Sequence, residues 1–110
     1  MKQWNEYKTE IANGILPAVK QIIESEQLVK PNRTRHIAHQ RYFIMWFLRR
    51  NTEMTLSQIG NLFKKDHSTV IHGIHYHDES IEINDEVYSM NVESVKGYLE
   101  KVLEDIPHST

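Results

Sequence analysis

Thr55-Leu56-Ser57-Gln58-Ile59-Gly60-Asn61-Leu62-Phe63-Lys64-Lys65-Asp66-His67-Ser68-Thr69-Val70 reads as a short helix, a tight turn and the start of a second helix. Thr55 and Gln58 have the spacing of a capping box: the hydroxyl accepts from the backbone N–H at 58, and the amide reaches back to the N–H of 55. Leu56, Ile59, Leu62 and Phe63 give that helix a core face, and Gly60 suits a close approach of two helix backbones. Lys64-Lys65 is the turn, and Asp66 is the N-cap of the next helix, whose Val70, Ile71 and Ile74 are expected to point inward. A short helix, a basic turn and a helix with a polar tip make a helix-turn-helix.

Upstream, residues 34–50 predict a helix with Ile37, Ala38, Arg41, Ile44, Met45 and Leu48 in one stripe and Tyr42, Phe43, Trp46 and Phe47 on its flanks. A helix apolar around more than half its circumference is buried between others. Trp46 is expected to face the N-terminal helix. That element, residues 4–28, is amphipathic through Tyr7, Ile11, Ile15, Val19, Ile22 and Ile23, and is either one helix or a pair broken near Gly14 and Pro17. Lys30-Pro31-Asn32 is a linker.

Downstream, Asn84-Asp85 marks a break or a new cap. Asn91 is expected to cap a last helix to about Asp105, with Val92, Val95, Leu99, Val102, Leu103 and Ile106 on one side and Pro107 as the stop. No alternating strand pattern occurs. The expected class is all-α: one domain over 1–110, a small helical bundle with an N-terminal amphipathic segment (1–30), a helix-turn-helix core (33–80) and an acidic C-terminal segment (81–106).

The chain has 110 residues, 39% hydrophobic and 25% charged, in the range of a globular protein. Without cysteine, disulfides and Cys-based zinc sites are excluded, and a reducing, cytoplasmic location is expected. The polar start has no signal core, and the apolar run 42–48 is far shorter than the roughly 20 residues that cross a bilayer.

Net charge is −2, but unevenly spread. Residues 30–66 hold eight cations (Lys30, Arg33, Arg35, Arg41, Arg49, Arg50, Lys64, Lys65) against Glu53 and Asp66, whereas residues 78–110 hold nine acids against two lysines. A basic centre beside a polar helix tip points to nucleic acid. The helix N-terminus offers backbone N–H groups to a phosphate, with Lys64 and Lys65 beside it. Arg33, Arg35 and Arg41 are spaced to leave a basic edge on the preceding helix. Asp66 can accept from a cytosine amino group or cap the helix, His67 can donate to a base acceptor, and Thr69 offers a methyl to thymine.

Residues 33–77 resemble the C-terminal DNA-binding domain of the bacterial replication initiator DnaA, a Trp-repressor-like helix-turn-helix. The matching residues are Arg33-Thr34-Arg35, Ile37-Ala38, Arg41, Thr55 to Gly60, Phe63 and Asp66-His67-Ser68-Thr69-Val70. The resemblance implies that Asp66, His67 and Thr69 read bases in the major groove of double-stranded DNA, with Ser68 in a Ser/Thr position, and that Arg41 reaches the minor groove. Arg33, Arg35, Lys64 and Lys65 are then the phosphate contacts. The family's turn usually carries glycine where this chain has Lys64-Lys65, and Gln40 and Tyr42 stand where Pro and Gln are common. No Gly-rich loop ending in Lys-Ser or Lys-Thr occurs, so no nucleotide or other cofactor is expected.

Among His67, His72, His75 and His77, the i, i+3 pair His72 and His75 is spaced to share an ion, but there is no Cys and no HExxH arrangement, so the favoured reading is a neutral polar face near DNA, where imidazoles strengthen binding mildly as pH falls toward ~6.5. No catalytic constellation stands out, so the expectation is a binding protein, not an enzyme. Its expected role is sequence-specific DNA binding by a stand-alone protein in replication control or transcription regulation, with a homodimer or a replication-protein partner left open. The alternative is a protein-interaction module of a phage or mobile element that uses the same fold as a scaffold.

Overall fold

The computed structural model describes residues 4–30 and 34–106, with side chains from residue 11 onward. Five helices follow in order: α1 (Trp4–Ser25), α2 (Arg35–Asn51), α3 (Leu56–Leu62), α4 (His67–Glu82) and α5 (Glu86–Asp105), with no strand among the described residues. No helix among them is long and apolar enough to cross a membrane. Arg33 and Pro107 lie outside the described residues.

The apolar wrap of α2 places it at the centre, where it packs against all four other helices. Its buried face, Phe43, Ile44, Met45, Phe47 and Leu48, joins Ile15 and Val19 of α1, Ile59 of α3, Val70 of α4 and Leu99 of α5 in one core. Each such side chain removed from water contributes about 1.5–3 kcal/mol before entropy is counted. The α4–α2 contact is close: a Cβ on Gly73 would meet Met45 Sδ at 2.8 Å and Tyr42 Cδ1 at 2.9 Å.

α1 runs unbroken through Pro17. The carbonyl that loses its donor there belongs to Asn13, which is exposed, so water can take the donor's place.

Three expectations are corrected. α5 is capped by Asp85, whose side chain accepts from Tyr88 N–H at 3.0 Å, so Asn84-Asp85 marks a new cap and Asn91 lies inside the helix. Trp46 faces α4, not α1: its ring stacks on His77 at 4.1 Å between centroids. Ile71 is 37% exposed, because the inward face of α4 runs through Val70, Gly73, His77 and Ser80, at steps of three and four residues that pass Ile71 by.

Helices α1, α3 and α4 end in the same way. A residue at φ 55° (Gln27, Lys64, Asn84) is followed by an N–H that reaches back five residues: Leu28 to Ile23, Lys65 to Gly60, Asp85 to Ser80. This is the Schellman closure, usually made with glycine; here three other residues take the left-handed conformation.

α5 is tied to the other helices by polar bonds as well as by packing. Asn91 Nδ2 donates to Nδ1 of the buried His39 at 3.1 Å, which leaves Nε2–H to donate to the Tyr76 hydroxyl at 3.0 Å. Burial pushes the Tyr88 hydroxyl pKa far upward, so it keeps its proton and donates to Nδ1 of the buried His77 at 2.7 Å. Desolvation lowers the pKa of both His39 and His77 from 6.5. As pH falls below that value the unfolded chain takes up protons that the folded chain refuses, so the contribution of these two imidazoles to stability is fully present above about pH 6.5 and is lost below it. Urea midpoints are therefore expected to drop between pH 7 and pH 5, and to drop less in His39→Gln and His77→Gln. An equal drop in both variants would contradict this.

Candidate nucleic-acid interface

The tip of α4 is set by its cap. Asp66 Oδ1 accepts three hydrogen bonds: from Ser68 Oγ at 2.7 Å, Thr69 N–H at 3.0 Å and Thr69 Oγ1 at 3.1 Å. The Ser68 hydroxyl first, then the two Thr69 groups, hold the carboxyl below the usual carboxylate range, so it stays ionised at neutral pH. Both hydroxyl protons are turned inward to the cap. What the tip presents outward is therefore carboxylate and hydroxyl acceptor capacity, a threonine methyl and the exposed imidazole of His67.

Asp66, His67 and Ser68 are exposed and Thr69 is half-buried. The exposed face continues along α4 through Ile71, His72 and His75, spaced so that they follow His67 and Ser68 on one side. The His72 ring meets Tyr42 edge-on at 5.4 Å. His77 does not belong to this face, because it is buried between Trp46 and Tyr88. Among the described residues, no three His, Asp or Glu side chains gather as a metal site.

The preceding turn delivers the lysines. The capping box at Thr55 and Gln58 is present in full, with bonds of 3.1 and 2.8 Å. Gly60 carries the reversal: its carbonyl accepts from Phe63 N–H and Lys65 N–H, both at 2.9 Å. A Cβ here would collide with the Lys65 carbonyl oxygen. The close approach foreseen at Gly60 is therefore to the turn that leads into α4. Lys64 is exposed and Lys65 half-buried, both next to the α4 N-terminus.

Arg35 is exposed at the first turn of α2, but Arg41 does not continue that edge. It is 9% exposed, and its Nε and Nη2 donate to the carbonyls of Leu28 at 2.6 Å and Lys30 at 2.7 Å. The signal was its place in the apolar stripe of α2, four residues from Ile37 and three from Ile44.

Among the described residues, the acidic C-terminal segment does not cover the tip. α5 packs on α1 and α2 and meets α4 at His77, far along the helix, while α3 packs on α4 and α2.

A family profile described as "Bacterial dnaA protein helix-turn-helix" matches residues 18–76, which brings the last turns of α1 into a unit that the motifs alone had started at residue 33. Among curated proteins, the chromosomal replication initiator protein DnaA of Thermoanaerobacter sp. (strain X514) is 40% identical over 81 residues, covering 69% of this chain and 18% of that protein. That of Chloroflexus aggregans is 48% identical over 52 residues, 46% of this chain and 11% of its own length. That of Lachnoclostridium phytofermentans is 34% identical over 59 residues, 53% and 13%. The chain thus spans less than a fifth of these relatives. No solved structure matches it.

Proposed function

The chain belongs to the bacterial DnaA helix-turn-helix family, and from that membership we propose that it binds double-stranded DNA sequence-specifically, with the α4 tip in the major groove. The observation that carries this reading is the exposed, capped N-terminus of α4 beside two lysines, clear of the acidic helix. Asp66, His67, Ser68 and Thr69 face base edges. Lys64, Lys65 and Arg35, with Arg33 beyond the described residues, take phosphates. Ile71 adds an apolar surface for a thymine methyl. Arg41 reaches the minor groove only by leaving the Leu28 and Lys30 carbonyls. The setting is the cytoplasm, in replication control or transcription regulation, and the protein acts by binding, not catalysis.

Selection of bound sequences from a random duplex pool tests the reading. One short enriched box is expected, with affinity that falls steeply as salt rises; a pool that stays random would refute sequence-specific binding. His67→Ala should cost about 1–3 kcal/mol on the selected box and little on random duplex. Lys64→Gly should weaken both alike, while releasing the strain of a left-handed lysine and so not lowering stability. Equal losses on both duplexes for His67→Ala would show that this side chain does not read bases.

A further inference from the structure

A groove of about 630 Å³ runs between α2 and α5, away from the α4 tip. Phe43, Trp46, Phe47 and His77 form its floor, and its α5 wall extends from Ser89 to Leu103, about 21 Å at 1.5 Å per residue. Ile81, 52% exposed, and Met90, 74% exposed, are apolar residues of its lining that stand open to solvent. Such length and an aromatic floor suit the apolar stripe of a helix, read as anchors at every third or fourth residue.

Charge selects which helix. Glu86, Glu93, Glu100 and Glu104 fall seven, seven and four residues apart, one exposed row along α5, and Glu93 and Glu100 line the groove with Lys96 between them. The opposite wall ends in Arg50, whose guanidinium lies 5.8 Å from the Trp46 ring centre. We propose that this groove docks an amphipathic helix of a partner protein that carries Lys or Arg along the flank facing α5 and an acidic residue on the flank facing Arg50. The proposal is independent of the DNA reading, because it uses none of the tip residues.

The test uses the full chain carrying Trp4→Phe, so that Trp46 is the only tryptophan. The probe is a synthetic 18-residue helix with Leu and Phe anchors, lysines on one flank and glutamates on the other. A saturable blue shift of Trp46 emission is expected, with affinity about tenfold lower in the Glu93→Gln/Glu100→Gln variant and unchanged retention of duplex DNA. Three results would overturn the proposal: no response of Trp46; equal binding by a peptide with glutamates on both flanks; or sedimentation showing that the free chain already pairs through Met90, with Met90→Ser dissolving the pair.

Discussion

Gly60→Ala is expected to lower stability by about 2–3 kcal/mol, roughly 10 °C or more in thermal midpoint, and to abolish preference for the selected DNA box. Alanine is otherwise favoured over glycine in a helix by about 1 kcal/mol, so the sign depends on what the new methyl meets. At Gly60 it meets the Lys65 carbonyl oxygen, and the Asp66 oxygen lies 3.2 Å away. These are backbone atoms of the reversal, and they cannot swing aside as a flexible side chain can. Relief requires α3 to separate from the turn, which weakens the bond from Lys65 N–H to the Gly60 carbonyl and re-aims the Asp66 cap. Gly97→Ala is the internal control. Nothing lies within 4 Å of a Cβ there, so the same change should raise stability by up to about 1 kcal/mol and leave DNA binding intact. Urea unfolding of the two variants, paired with binding to cognate and random duplex, checks both signs. A Gly60→Ala protein as stable as the parent would mean that the reversal can open without cost.

The features legible in the sequence were those made by neighbours in the chain. Thr55 with Gln58 and Asp66 with Thr69 are contacts over three residues, and each formed at the position its spacing implied. The stripe of α2 likewise announced a central helix. What escaped depended on distance or on an unusual residue in an ordinary role. Asn91 and Asp85 are both good caps by type; the cap forms at Asp85, which leaves Asn91 inside the helix, where its side chain bonds His39, 52 residues away in the chain. Trp46 could have faced either neighbouring helix, and its partner His77 lies across the bundle. The three left-handed closures use Gln27, Lys64 and Asn84, so the glycine signal for a helix end was missing. At the site, the exposed tip follows from the capping pattern, but the i, i+4 spacing of Val70 and Ile74 draws the adjacent Ile71 into the expected inward face, which it leaves in the structure, and the two-fold demand of Arg41 on the Leu28 and Lys30 carbonyls has no local signature.

Arg41 gives the second large effect. Arg41→Ala is expected to destabilise the fold by about 2–3 kcal/mol, because hydrogen bonds from a charged donor contribute about 1.5–3 kcal/mol each and the Leu28 residue left behind is fully buried. The Lys30 residue is exposed, so water can replace that second bond and the total falls short of twice the single value. Arg41→Lys should recover only part of the loss: one ammonium cannot span two carbonyls as the guanidinium fork does. These two variants also separate the two uses of the side chain. If Arg41 acts as the clamp between α2 and the α1–α2 linker, thermal midpoints should order parent, lysine, alanine, and at a temperature where all three remain folded the ratio of cognate to random affinity should be preserved. If instead it leaves the linker to enter a minor groove, that ratio should collapse in both variants, since a narrow groove rewards arginine over lysine and alanine alike. A collapsed ratio with an unchanged midpoint would show that the Leu28 and Lys30 carbonyls do not depend on Arg41, and the clamp would be refuted.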